Sequence, residues 1–460
     1  MKSKTPLIYK NTYTDSILNY LLVYNVFSKK NPTLLNKPLA YLFKLVDGKR
    51  SLYDIYLMAK KKDPLLKFSR IKEIFNDFLN LEIVYFNLPN LQQIFTRKEP
   101  KRLSIWFHIT NQCNLRCKHC FINKTPNKIS MAMAQTAFNK IFADAKKNKY
   151  NQIKIFFSGG ECLLELKKLI NLIKLGKRLS KKTNIEIAFS IATNGTLITP
   201  KIAKTLALYT IEVAISLDGL QKFNDSQRVF SNGLGTFKYI EQAIKNLKKY
   251  HVPYRAIVTV TTNNVANLPS LTKYFLINKI PFSINFYRES PYSKKGLTPT
   301  NKILINYLKK SYQILYKYVP KYRLIDDVLD RVNFRVPRLA ACAVGDSYIV
   351  ITHEGKLASC PMIIDRSIGS INDQDIVKTM RNKSFIKPRG LTVEKKIPCN
   401  HCQWKYVCCG GCPLLAYETK KTYKSSSPYC EVYKTLIPEV LKIEAKRLIK
   451  YGFNKERLID

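Results

Sequence analysis

No stretch of this 460-residue chain offers the roughly 18 consecutive apolar residues that a helix needs to cross a bilayer. The opening Met1-Lys-Ser-Lys-Thr5 is not followed by a hydrophobic segment with a small-residue cleavage site, so no secretory signal is visible. A cytoplasmic setting is the default expectation, and no membrane partner is expected. Acidic residues are scarce: 32 Asp+Glu stand against 78 Lys+Arg, a formal net charge of +46. That imbalance suits an acidic partner such as nucleic acid, an anionic membrane or an acidic peptide. It equally suits a lysine-rich composition spread over the whole surface. Clusters such as Lys60-Lys61-Lys62 and Lys181-Lys182 are short, and no single basic tail stands out. Cysteine is missing from residues 1–97 and again between Cys162 and Cys342. The twelve cysteines therefore fall into two groups, eight of them between Cys342 and Cys430. A reducing compartment disfavours disulfides, which leaves metal or redox chemistry as the reason for them.

What is present is enough chain for two or three domains. In residues 1–97, Asn36 to Gly48 has helical apolar spacing, and Ser51 caps a second helix over 52–59. A third helix is expected over 71–81 and a short strand at Ile83-Val-Tyr-Phe86. Three small helices with a β-hairpin resemble a winged helix. Thr96 to Arg102 is charged and reads as a linker. Beyond it, strand-like runs at 103–109, 153–157, 185–191, 211–217, 255–261 and 281–287 alternate with helical stretches such as 131–147, 164–179 and 237–250. Six βα units predict an α/β fold, an incomplete (β/α)6 TIM-type barrel with functional residues at the C-terminal ends of its strands. Residues 336–435 are turn-rich and cysteine-rich with little periodicity, and a last helix is expected over about 434–450. The expected domains are 1–97, 98–325, 326–435 and a closing helix in 436–460.

The first strand leads into Cys113-x3-Cys117-x2-Cys120. Three thiolates can hold three irons of a 4Fe–4S cube and leave the fourth iron open to an exogenous ligand. The next strand runs into Ser158-Gly159-Gly160-Glu161, where paired glycines allow close approach to the backbone and the carboxylate can meet an ammonium group. The following two end in Ala192-Thr193-Asn194-Gly195 and Ser216-Leu217-Asp218-Gly219, with Asp225 and Arg228 shortly after. Each ending alone is ordinary loop chemistry; three in series at strand ends point to one site.

In this order and spacing the motifs resemble the radical S-adenosylmethionine (SAM) superfamily. The resemblance implies that Cys113, Cys117 and Cys120 ligate a 4Fe–4S cluster whose open iron binds SAM. It implies further that Gly159, Gly160 and Glu161 meet the methionine amino group, with Thr193, Asn194, Ser216 and Arg228 as further SAM ligands. His119 stands where the family usually has an aromatic residue, and an imidazole can still pack on adenine. Cys162 stands where Pro often follows the Glu, and reads as a small buried residue.

The second cysteine group reads Cys342-x12-Gly355-x4-Cys360, then Cys399-x2-Cys402-x5-Cys408-x3-Cys412, then x17 to Cys430. Alone, Cys399 to Cys412 also suits a structural zinc site. The whole series resembles the SPASM domain, an extension of radical SAM peptide maturases with two auxiliary 4Fe–4S clusters. That implies one cluster on Cys399, Cys402, Cys408 and Cys430. The other falls to Cys342, Cys360 and Cys412, with no fourth ligand identifiable. Cys409 lies outside the series and reads as a spare thiol. Anaerobic sulfatase maturases, similar through this region, carry an Asp base after the cysteine that matches Cys360. Pro361 stands there instead, with Asp365 or Asp346 as spatial substitutes. No catalytic residue of the chain's own is assigned.

Residues 1–97 resemble the peptide-recognition element of ribosomally made, post-translationally modified peptide pathways, through Leu45-Val-Asp-Gly48, Ile55 and Phe78-Leu-Asn-Leu81. Such elements bind a leader peptide as an added strand. A nucleic-acid-binding winged helix is the rival. Together these resemblances imply an enzyme that binds a precursor peptide through its leader and takes electrons from a donor such as ferredoxin or flavodoxin. The expected reaction is oxidative thioether or carbon–carbon cross-linking. Formylglycine formation, peptide epimerisation and nucleic-acid modification are the alternatives, and nucleic acid is not the expected partner.

Overall fold

The computed structural model describes residues 4–30, 32–88, 95, 101–382 and 391–452. The linker expected at 96–102 lies almost wholly outside them. Residue contacts divide the chain into two compact units: 1–96 with 312–341 and 392–460, and 97–311 with 342–391.

The second unit is built on one sheet. Six parallel strands follow in chain order: β4 (Arg102–Thr110), β5 (Gln152–Gly159), β6 (Glu186–Thr193), β7 (Glu212–Ser216), β8 (Tyr254–Val260) and β9 (Phe282–Phe286). All six expected strands are present. Between them run α4 (Met131–Lys147), α5 (Leu166–Thr183), α6 (Pro200–Leu208), α7 (Gln221–Asp225), α8 (Phe237–Lys249) and α9 (Leu268–Ile277), with α10 (Asn301–Lys317) after β9. Ser130 caps α4 and Thr199 caps α6, each side chain accepting from the backbone N–H three residues on. Strand side chains alternate between faces. Phe107 packs on Phe138 of α4 and on Phe157, while Trp106 meets Phe156. Leu103, Ile105, Phe107 and Ile109 therefore form the buried layer under the helices, and Ser104, Trp106, His108 and Thr110 share the opposite face.

The cysteine-rich C-terminal region contains more regular structure than its lack of periodicity suggests. Strand β10 (Tyr348–Ile351) pairs parallel with β4, and β11 (Lys356–Ala358) and β12 (Ser367–Ser370) extend the sheet antiparallel, giving nine strands. Strands of three or four residues are too short to show a period. A short helix, α11 (Ile376–Arg381), is capped by Asp375.

The first unit begins with an antiparallel sheet, β1 (Tyr13–Ile17), β2 (Tyr20–Tyr24) and β3 (Thr33–Leu35), then α1 (Lys37–Lys44), α2 (Leu52–Lys60) and α3 (Phe68–Asn80). The three helices stand as expected, and Ser51 and Asp54 complete a reciprocal cap on α2. The hairpin is elsewhere: Ile83–Phe86 forms no strand, only an isolated bridge from Tyr85 to Leu7. Ile83 and Val84 are instead buried among the helices. The later segments of this unit carry α12 (Lys405–Cys408), α13 (Pro413–Lys420) and α14 (Cys430–Tyr451). The last helix begins earlier than expected, so Cys430 lies in its first turn. Tyr13 meets Trp404, Tyr24 meets Phe334 and Phe27 meets Tyr406, with ring centroids 5.2, 5.7 and 4.8 Å apart. Within this unit these ring contacts join the N-terminal sheet to the later segments.

Candidate functional site

The sequence-predicted site residues of the second unit gather at the C-terminal ends of β4 to β7, as a barrel architecture requires. The Cys113 loop leaves β4 and is pinned to the end of β5: Gly160 N–H donates to the Thr110 carbonyl and Glu161 N–H to the Gln112 carbonyl, both at 2.7 Å. A β-carbon at Gly159 would fall 2.3 Å from the Thr110 oxygen, and one at Gly160 2.1 Å from the Gln112 oxygen. The paired glycines are thus required by the docking of the cysteine loop itself.

Glu161 is fully buried. Its carboxylate accepts from Leu163 N–H at 3.0 Å, from Thr193 Oγ1 at 2.8 Å and from Asn194 N–H at 2.8 Å. Burial pushes its carboxyl above the ordinary range despite those donors. Among the described residues no lysine or arginine pairs with it. An ammonium group is the missing partner that this arrangement suits. Asn194 Nδ2 lies 3.9 Å from Cys113 Sγ and Arg228 Nη1 3.9 Å from Cys117 Sγ. The thiols of Cys113, Cys117 and Cys120 are close enough to perturb one another. Burial pushes Cys113 up to about 12 and Cys117 up to about 11, so thiolates here need a metal centre to hold them. Three grouped cysteines beside a carboxylate without a basic partner are the residue set that a cluster with SAM at its open iron takes.

Arg228 is held by Asp218, which sequence reasoning noted at a strand end without giving it a role. Asp218 is fully buried. Its carboxylate accepts from Arg228 Nε at 2.6 Å and Nη2 at 3.2 Å, from Gln227 Nε2 at 2.7 Å and from Thr259 N–H at 2.8 Å. His119 Nε2 approaches it at 3.5 Å. Burial opposes its ionisation, but Arg228, His119 and these donors outweigh that and hold it below the usual carboxylate range. Asn264 Nδ2 fixes the Asp218 carbonyl at 2.7 Å. Asp225 proves structural, accepting from the N–H groups of Thr236 and Phe237 at 2.8 Å each. Ser216 ends β7, and among the described residues no hydrogen bond joins its hydroxyl to this network. Cys162 is buried with Sγ 3.3 Å from the Ala192 carbonyl, a packing role.

A pair of imidazoles completes this end of the sheet and was missed in the sequence. His108 on β4 and His353 after β10 are 5.8 Å apart between ring centroids. Asn111 Nδ2 donates to Thr125 Oγ1 at 3.1 Å, which turns its Oδ1 toward His108 Nε2 at 2.6 Å. That assigns the ring proton to Nε2 and leaves His108 Nδ1 a bare acceptor, buried without a hydrogen-bond partner. Burial pulls His108 down to about 4 and lowers His353 as well. Asp365 lies within electrostatic reach of both rings and accepts from the Tyr292 hydroxyl at 3.0 Å. The only signal for the pair was position: His108 lies near the end of β4 and His353 just after β10.

The first unit contains the second cysteine site. Cys399, Cys402, Cys408 and Cys430 line one cavity, walled also by Pro398, Trp404, Lys405, Gly410, Tyr433 and Lys434. Four cysteines bordering one cavity are the residue set that a four-cysteine metal centre takes, although among the described residues their side chains do not form a ready ligand cage. Cys409 is buried outside its lining, with Sγ 3.1 Å from the Arg338 carbonyl. Cys412 belongs to the same unit, whereas Cys342 and Cys360 belong to the other.

The Radical SAM superfamily profile matches residues 107–273, and that of an iron–sulfur cluster-binding domain, SPASM, matches 342–403. An uncharacterised protein, MJ0907 of Methanocaldococcus jannaschii, is 32% identical over 283 residues, 60% of this chain and 91% of its own length. A cysteine-type anaerobic sulfatase-maturating enzyme of Clostridium perfringens is 26% identical over 366 residues, 74% of this chain and 96% of its own. The structure of Streptococcus suis SuiB bound to precursor peptide SuiA superposes with TM-score 0.53 at 16% identity, covering 92% of this chain and 98% of that one. The chain belongs to the radical SAM superfamily, and is a SAM-dependent iron–sulfur enzyme that carries a SPASM domain.

Proposed function

We propose that this enzyme modifies a ribosomally made precursor peptide, captured through its leader by residues 1–97, and joins two of its residues by a thioether or carbon–carbon bond. The observation that carries the reading is the coexistence of two thiol sites: a triplet beside a carboxylate with no basic partner among the described residues, and a cavity bordered by four cysteines. When bound, SAM and its 4Fe–4S cluster supply a 5′-deoxyadenosyl radical that takes a hydrogen atom from a substrate carbon. Making a C–S bond from C–H and S–H releases one hydrogen atom, one proton and one electron, and a redox centre apart from SAM can accept that electron. Cys399, Cys402, Cys408 and Cys430 are the ligands proposed for it. Cys342, Cys360 and Cys412 are assigned a second auxiliary cluster by the family resemblance. Glu161, with Thr193 and Asn194 holding it, is the group that would receive the SAM ammonium. Arg228, fixed by Asp218, sets positive charge beside the Cys113–Cys117–Cys120 cluster, and His119 completes that wall. A peptide substrate is supported by SuiB, whose structure contains a precursor peptide.

Formylglycine formation is the second reading, favoured by the sulfatase-maturating relative. Pro361 weighs against it, since no carboxylate directly follows Cys360. The two are separated by mass spectrometry after anaerobic reaction with precursor peptides encoded beside the gene and with a sulfatase-derived peptide. Cross-linking predicts loss of two hydrogens from a precursor together with 5′-deoxyadenosine. An aldehyde product from the sulfatase peptide alone would refute the proposal.

A further inference from the structure

Beside the four-cysteine cavity lies a buried lysine without a counter-charge. Lys396 is 3% exposed, and its Nζ donates to the Cys409 carbonyl at 3.1 Å. Among the described residues no carboxylate stands within ion-pairing distance of it. It sits against the cysteines: a β-carbon at Gly410 would fall 3.0 Å from Cys399 Sγ and 3.4 Å from Lys396 Nζ, so thiol and ammonium flank the same glycine. Gly410 and Gly411 both adopt left-handed backbone, φ 73° and 72°, which brings this strip of main chain between the two. The other lysines of the cavity wall differ. Lys405 Nζ is matched by Glu394 at 3.1 Å and the Asn400 carbonyl at 2.9 Å, and Lys434 is exposed to solvent.

A buried ammonium group costs several kcal/mol unless an opposite charge answers it. One backbone carbonyl is a weak answer; four thiolates holding a cluster are a strong one. Such a centre is net negative and gains a further negative charge when it takes an electron. A fixed cation at its edge favours the reduced form and raises its reduction potential, which net charge and local hydrogen bonding set. We infer that Lys396 is the counter-charge of the cluster on Cys399, Cys402, Cys408 and Cys430, placed to make that cluster an electron acceptor. It acts through the cluster's charge and is a positioning residue. The inference rests on the four-cysteine reading proposed above.

The test uses the full chain with Cys113, Cys117 and Cys120 replaced by Ala, so that only auxiliary clusters remain. After anaerobic reconstitution, midpoint potentials are measured by EPR-monitored titration with Lys396, with K396M and with K396R. Cys402→Ala identifies which potential belongs to the four-cysteine cluster. The expected result is that this midpoint moves to more negative values in K396M and stays near the parent value in K396R. A K396M protein with full iron and an unmoved midpoint overturns the inference. If K396M fails to hold the cluster, retention by K396R supports the charge, and equal loss in K396R assigns Lys396 to packing and overturns it. Failure of the underlying reading looks different: the parent protein would then hold no iron that Cys402→Ala removes.

Discussion

At the residue scale, the most telling group is a carboxylate with only neutral donors. Glu161 accepts three hydrogen bonds and has no basic partner among the described residues. Replacing it with Gln keeps the shape and removes the charge that an ammonium would meet. Charge-assisted hydrogen bonds contribute about 1.5–3 kcal/mol, so SAM affinity by calorimetry should fall about tenfold or more. Unchanged affinity would detach Glu161 from SAM. His108 makes a second prediction, with a definite sign. Its folded value is about 4 against an ordinary 6.5, so between those limits the unfolded chain binds the extra proton. Stability should therefore decline as pH falls from about 6.5 toward 4, and the decline should be smaller in H108Q, which keeps the contact to Asn111 without a titrating ring. Denaturant melts across that range with equal slopes for both proteins would contradict it. Much at this scale was legible, because motif chemistry is local: Glu161, Thr193 and Asn194 meet one another, with Asn194 beside Cys113. Asp218 was seen but not understood. Its importance lies in Arg228, Gln227 and Thr259, partners supplied by tertiary structure.

At the element scale, strand ends position the site and glycines let them meet. Gly160→Ala would force its new methyl into the Gln112 carbonyl. Overpacking of this kind typically costs 1–3 kcal/mol. Because the clash is with backbone of the cysteine loop, the variant should lose about four irons per chain by its cluster while the four-cysteine site stays loaded. Full iron content in G160A would show that the loop can move away freely. The six barrel strands were legible because each carries several apolar residues over five to nine positions and is bounded by polar turns. The β1–β2 hairpin was not. Its two-residue turn, Leu18-Asn19, lacks glycine and places Leu18 at φ 54°, a conformation that a leucine seldom signals. The short strands β10 to β12 escaped for want of length, although β10 sets His353 beside His108.

At the scale of the whole molecule, linear domains and packed units differ. Residues 1–97 read as an appended recognition module, yet Tyr13, Tyr24 and Phe27 pack on Trp404, Phe334 and Tyr406 within one unit, and Asp15 pairs with Lys442 at 3.4 Å. Deleting 1–97 should therefore remove iron from the four-cysteine site as well as peptide processing. Full auxiliary iron after that deletion would show an independent module. Sequence order could not reveal this, because the partners are some 300 residues or more apart and carry no motif. The proposed enzyme holds a radical-generating cluster and two auxiliary clusters in one chain. Iron counting after anaerobic reconstitution tests it most directly. Three 4Fe–4S clusters require about twelve irons per chain, falling to about eight when Cys113, Cys117 and Cys120 are replaced by Ala. About four irons, all lost with that triplet, would contradict it.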